Sequence, residues 1–165
     1  MNPIVKYFNA EKAESVLFIG FGVIAIILSV YFFFFIKESF WKGVAIPLMF
    51  FSIIQIVIGV TIFTRSPKDN LRVETILKHE PHKIQSEEIP RMEKVKKNFV
   101  YYRYFEITMI FSGIILMYVL PNYGFWKGFG FGLFIQCAVL LSLDFFAERR
   151  GHIYFEYLNQ LSNVN

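Results

Sequence analysis

The sequence predicts an all-α membrane protein whose four transmembrane helices form two same-orientation hairpins, with amphipathic cytoplasmic helices beside them. Three observations carry this fold class. Of 165 residues, 55% are hydrophobic and 19% aromatic, and mean hydropathy is +0.46, too apolar for a soluble domain of this size. The apolar residues gather in four long runs rather than in amphipathic patterns. The tetrapeptide FWKG occurs twice, at 40–43 and 125–128, each time at the head of an even-numbered run.

A helix needs roughly 20 apolar residues to cross the hydrocarbon core. The first run, Val16 to Ile36, contains no charged residue. The second covers about 43–64, the third about 105–120, and the fourth about 126–146, interrupted by Asp144 near its end. Hairpin 1 is then 14–64 and hairpin 2 is 106–150, in one membrane domain covering 1–165. The first run is longer than a signal-peptide core, and no small-x-small cleavage site follows it, so it is expected to stay in the mature protein.

Lysine and arginine set the orientation. Fourteen of the seventeen fall in the N-terminal arm, the central segment and the tail, against Lys37, Lys42 and Lys127 in the two short hairpin loops. The positive-inside rule places both termini and the central segment in the cytoplasm of a bacterial-type cell, and four spans return the chain to its starting side. The expected location is the cytoplasmic (inner) membrane.

The connector, 65–105, reads as helical. Ser66-Pro67 resembles an N-cap followed by proline at the first helical position, and Val73, Ile76 and Leu77 form a short apolar face. Pro81 within KHEPHKIQ ends this helix. Ile89, Met92, Val95, Phe99 and Tyr102 then recur at spacings of three and four, predicting a helix that lies on the membrane surface or runs directly into the third span. Lys94, Lys96 and Lys97 on it could hold anionic lipid headgroups at about 1 kcal/mol each, or serve only to fix topology. In the tail, 151–165, Tyr154, Tyr157, Leu158 and Leu161 share a face and predict a short interfacial helix.

The two FWKG motifs align further at the same offset of 85: Leu48 matches Leu133, and Arg65 matches Arg150. An internal duplication with parallel repeats explains this alignment. Convergence also would, since tryptophan favours the membrane interface and lysine snorkels outward. Either way Trp41, Lys42, Trp126 and Lys127 read as interface anchors, not catalytic groups.

Within the spans, Gly124, Gly128, Gly132 and Gln136 are each four residues apart and share a helix face; Ser52, Gln55 and Gly59 make a similar face on the second span. Small residues admit close helix approach, and glutamine bonds across the contact. These faces pack on each other within the bundle or form an oligomer or partner contact. Glu14, Arg65, Asp69, Glu88, Arg91, Glu106 and Asp144 are expected to converge at the cytoplasmic mouth, as a ligand- or partner-binding ring or as structural ion pairs. Asp144 is the only acid well inside a span, where ionisable groups are costly.

Chemistry is otherwise sparse. His79 and His82 flank Pro81 as an incomplete metal set, no histidine lies within a span to ligate haem, and Cys137 stands alone without a disulfide or zinc partner. No nucleophile–base, phosphate-loop or nucleic-acid motif is present. No metal, cofactor or nucleic acid is therefore expected, and the balance leans away from an enzyme. The expected partners are the lipid bilayer, with anionic headgroups, and a protein partner or further copies of the chain. The functional expectation is a non-enzymatic partner-binding or accessory role, of which immunity to a membrane-directed toxin is one form. The alternatives are a homo-oligomeric channel or small transporter, and a lipid-headgroup-binding membrane enzyme using the charged cytoplasmic cluster.

Overall fold

The helices run well beyond the apolar stretches that nucleate them. The structure, a computed structural model, describes residues 3–120 and 124–164. Helix α1 spans Pro3–Phe35, α2 Ser39–His79, α3 Ile89–Val119 and α4 Gly124–Val164. A π-helical turn, Ile84–Glu88, leads into α3. Each α-helix is long and apolar enough to cross a membrane, so the chain is an all-α, multi-pass membrane protein. At 1.5 Å per residue α2 and α4 are each about 62 Å long, roughly twice the hydrocarbon thickness. Their second halves therefore project beyond the bilayer, at the end of the bundle that also holds the start of α1 and the α2–α3 connection. We call it the basal end.

Two boundaries differ from the sequence expectation. Ser66-Pro67 starts no helix, because α2 passes straight through it. Proline removes one helical N–H, but the Ser66 hydroxyl, 2.9 Å from the Ile62 carbonyl, donates to Glu11 Oε2 (2.6 Å), tying the site to α1. The tail is likewise no separate interfacial helix. It continues α4, and Tyr154 and Leu158 are buried against protein. The break at Pro81 is where the sequence puts it: the Glu80 N–H caps the Ile76 carbonyl, and α2 stops. Helix α3 then runs without interruption into its span.

Helices α2 and α4 lie side by side at the centre, with α1 packed on α2 and α3 on α4. Contacts between α1 and α2 descend in opposite senses: Ser29 to Ala45, Phe18 to Gln55, Glu11 to Arg65. Helices α2 and α4 run in the same sense. Gly43 lies against the backbone of Phe125 and Phe129, Gly128 against that of Phe40, and Gly132 against Val44. The glycine of each FWKG thus abuts the phenylalanine backbone of the other, a reciprocal contact that any side chain would obstruct.

Two apolar clusters hold the assembly. Near the FWKG end, Ala25, Val44 and Leu48 are covered by Phe32, Phe40 and Trp41. At the basal end Ile4, Tyr7 and Phe8 of α1, Val73 and Ile76 of α2, Ile84, Met92 of α3, and Tyr154 and Leu158 of α4 form a second core. Ile89, Met92 and Val95, the first half of the predicted stripe, face this core, while Tyr102 is half exposed. The amphipathic helix is therefore covered by protein and does not lie flat on the membrane.

Candidate functional site at the basal end

The basal core encloses a carboxylate. Glu88, at the end of the π-helical turn, has 0% exposure. Arg91 binds it from the next helical turn with two parallel bonds, Nη2 to Oε1 at 2.6 Å and Nε to Oε2 at 2.9 Å. Arg72 of α2 donates to Oε2 at 2.7 Å, and the Tyr154 hydroxyl of α4 donates to Oε1 at 3.1 Å. Burying an ionised carboxylate costs several kcal/mol, which only charge and complete hydrogen bonding offset. Two guanidinium groups and a phenol supply both here. Burial opposes the Arg91 charge, but the bonds and charge of Glu88 hold that guanidinium protonated above its ordinary range. Burial, followed by the Glu88 charge, pushes the Tyr154 hydroxyl well above its ordinary value.

The network extends along α2. Asp69 lies 3.7 Å from Arg72 and 3.1 Å from Arg65, and Arg65 reaches Glu11 of α1 at 3.4 Å. Tyr7 stacks on Tyr154 with ring centroids 4.1 Å apart, and Arg150 lies over the Tyr7 ring at 5.7 Å.

The seven acidic and basic residues expected to form one ring thus fall into three groups. Arg65, Asp69, Glu88 and Arg91 belong to the network just described. Glu14 stands apart and pairs with Arg150 of α4. Glu106 and Asp144 face one another between α3 and α4, their carboxyl groups within hydrogen-bonding reach. Asp144 is 16 residues beyond Gly128, or about 24 Å along α4, less than the thickness of a hydrocarbon slab.

Sequence reasoning missed Glu11, Ser66, Arg72, Arg150, Tyr7 and Tyr154. Arg72 carried a legible signal, being three residues from Asp69 and seven from Arg65 on one helix face. Tyr154 carried none, since its partner lies 66 residues away.

The small-and-polar faces meet other helices. Gln136 donates to Gln55 Oε1 at 2.8 Å, and Gln55 donates to the Phe18 carbonyl at 2.9 Å, joining α1, α2 and α4 through one buried chain. Gly128 and Gly132 lie against α2, while Gly124, at the rim, is exposed. Gly59 packs on Ser15, Phe18 and Ile19 of α1 rather than on α4, and Ser52 is buried beside Gly22 of α1. Trp41 is half-buried against Phe32 (centroids 4.6 Å apart). Trp126 is 45% exposed, Lys42 is exposed and Lys127 half-buried.

Openings among the described residues include a groove and a cavity. A groove of about 900 Å³ between α1 and α4 is lined by Leu17, Phe21, Ile135, Val139 and Phe146, with Glu14 at one end. A cavity of about 520 Å³ between α3 and α4 is lined by Phe99, Arg103, Asp144, Phe145 and Glu148.

Chemically, the basal network is closed. Both Glu88 oxygens are occupied by donors, leaving that acid unavailable as a general base or metal ligand. Among the described residues no three histidine, cysteine or carboxylate side chains gather as a metal site. Comparison with known protein families, with characterised proteins and with solved structures finds no match.

Proposed function

We propose that the chain is a non-enzymatic accessory protein of the cytoplasmic membrane, with both termini inside, that binds the transmembrane helix of a partner protein along α3. The observation that carries this reading is the mismatch between the polarity of α3 and its burial. Its membrane window has a mean hydropathy of 1.2, against 1.9–2.7 for the other three helices, yet is only 11% buried, against 22–33%. The least lipid-like helix is the one most open to lipid.

The open face has a regular spacing. Tyr101, Tyr104, Thr108, Phe111, Ile115 and Tyr118 alternate by three and four residues and are all exposed, Tyr118 at 79% and Phe111 at 61%. A 3-4 spacing is the seam by which one helix receives another in left-handed packing. Side-chain fit and hydroxyl groups drive such contacts in lipid, where both surfaces are apolar. Immunity to a membrane-directed toxin is one role that fits such a surface.

The closed centre argues against a pore within one chain, because the glycine contacts of α2 and α4 leave no lumen. The closed Glu88 network argues against catalysis on headgroups. Duplication of an ancestral hairpin is part of the same proposal. It is supported by the reciprocal FWKG contact and by a second equivalence, in which Ser29 meets the Ala45 carbonyl as Gly113 meets Gly130, at an offset of 84–85.

Photo-crosslinkers placed at Phe111 and Tyr118, with Ile27 on α1 as control, test the reading in native membranes. The expected result is one membrane protein of defined mass, crosslinked from α3 and not from Ile27, which reassembles with the purified chain in stoichiometric amount. Crosslinks to further copies of the chain, with ion or solute flux from reconstituted liposomes, would replace this reading with a homo-oligomeric channel.

A further inference from the structure

Glu106 and Asp144 form an acidic pair between α3 and α4 that, among the described residues, no basic side chain neutralises, and Glu106 is buried. Every other pairing of two charged side chains described joins an acid to a base. Here two acids meet, from α3 and α4, and among the described residues no lysine, arginine or histidine hydrogen-bonds to or ion-pairs with either. The remaining titratable groups facing them are Glu14 of α1, Glu148 of α4 and the Cys137 thiol of α4. The nearby bases are already engaged: Arg103 bonds Glu148 at 3.1 Å, and Arg150 bonds Glu14. Glu106 is 95% buried by its 5% exposure, and its Oε2 is buried with no hydrogen-bond partner.

Two carboxylates side by side in an apolar medium repel each other and lose hydration, so the doubly charged state is the costly one. A cation between them relieves both terms. Asp144 also lines the α3–α4 cavity, which Arg103 and Glu148 line as well, forming a half-buried ion pair. The cavity therefore reaches the Asp144 side of the pair from between α3 and α4, away from the α2–α4 contact at the bundle centre.

We propose that Glu106 and Asp144 form an intramembrane binding site for one small monovalent cation, a proton or an alkali metal ion, reached through the cavity beside Arg103 and Glu148. The site is independent of partner binding along α3, because Glu106 points into the α4 contact and away from the exposed seam.

A lipophilic carbodiimide tests this on the full chain in membranes. The reagent takes the proton of a carboxylic acid on one nitrogen while the carboxylate oxygen adds to its central carbon. This is an addition with no leaving group, and peptide mass spectrometry locates it. The expected result is modification of Glu106 or Asp144 at neutral pH. For a bound proton, labelling falls as pH rises and is indifferent to sodium or potassium. For a bound metal ion, labelling at fixed pH falls several-fold when sodium or potassium replaces choline at constant ionic strength. Labelling that is absent, or equal at every pH and in every salt, overturns the proposal.

Glu106→Gln supplies a control that keeps the packing, since its amide can donate to Asp144. The wild type should lose thermal stability in detergent as pH rises from neutral, while Glu106→Gln should lose markedly less. Superimposable pH profiles would mark the pair as a packing contact alone and end the proposal.

Discussion

Replacing Gly128 by alanine puts a methyl group where the structure has backbone. A Cβ at that position would overlap the Phe40 carbonyl and lie 2.7 Å from its carbon, whereas carbon atoms pack best at about 3.5–4.0 Å. The obstruction is the main chain of the first turn of α2, so no rotamer change relieves it. Helices α2 and α4 must separate by about 1 Å, which loosens Val44, Leu48 and the Gln55–Gln136 bond together. Overpacking of this kind costs about 1–3 kcal/mol, and the backbone-to-backbone geometry argues for the upper end. Gly43→Ala meets Phe129 N at 2.8 Å and the Phe125 carbonyl carbon at 3.0 Å, so it should cost about as much. Because both changes force the same separation, the double variant should lose clearly less than the sum of the single losses. Gly20→Ala, which meets nothing within 4 Å, is the matched control and should be neutral or slightly stabilising. Thermal or denaturant unfolding of the purified chain in detergent reads all four. A Gly128→Ala protein as stable as wild type, or strict additivity with Gly43→Ala, would refute the reciprocal contact as described.

Glu88→Ala should destabilise by about 3 kcal/mol, the lower end for breaking a buried pair, because Arg72 and Arg91 keep 37% and 24% of their side chains open to water; denaturant unfolding measures it. Gln55→Leu should cost about 1 kcal/mol, and a cycle with Gln136→Leu should show coupling, since Gln136 is then left without its acceptor. Tyr154 contributes a pH signature. Its folded hydroxyl is held above the ordinary tyrosine value of about 10, so its stability contribution is intact below that pH and is lost as pH rises beyond it. Tyr154→Phe should therefore be less stable at neutral pH by about 1 kcal/mol yet show a shallower alkaline loss, read from unfolding midpoints between neutral and strongly alkaline buffer.

Much of the fold was legible because the bilayer makes few demands and makes them locally. Apolar run length is readable without knowing any tertiary contact, and so is the placement of FWKG at the head of alternate runs. Pro81 was legible for the same reason, as a missing donor after an open helix end. Ser66-Pro67 has the local chemistry of a helix start. What overrides it is Glu11, 55 residues away, which engages the serine hydroxyl. Seven of the charged residues were found, but not their grouping, nor their partners Glu11, Arg72 and Arg150. Charge counting identifies Glu88 and Arg91, whereas the Tyr154 contact depends on α4 running past the membrane to reach the π-helical turn. Likewise Glu14 and Glu106, the first residues of the two expected hairpins, sit in different settings: one meets an arginine, the other an aspartate.

The order of the helices across the bundle has a bearing on how the molecule is made. Neighbours in sequence, α1 with α2 and α3 with α4, can pair as soon as each second helix enters the bilayer. The middle of the protein cannot. Helix α2 must wait with Gly43 uncovered and the Gln55 acceptor unmet until α4, the last span synthesised, arrives beside it. The molecule therefore closes from its flanks inward, and its tightest contact is the final one to form. A chain stalled before α4 would present a bare glycine seam to whatever membrane helix came first.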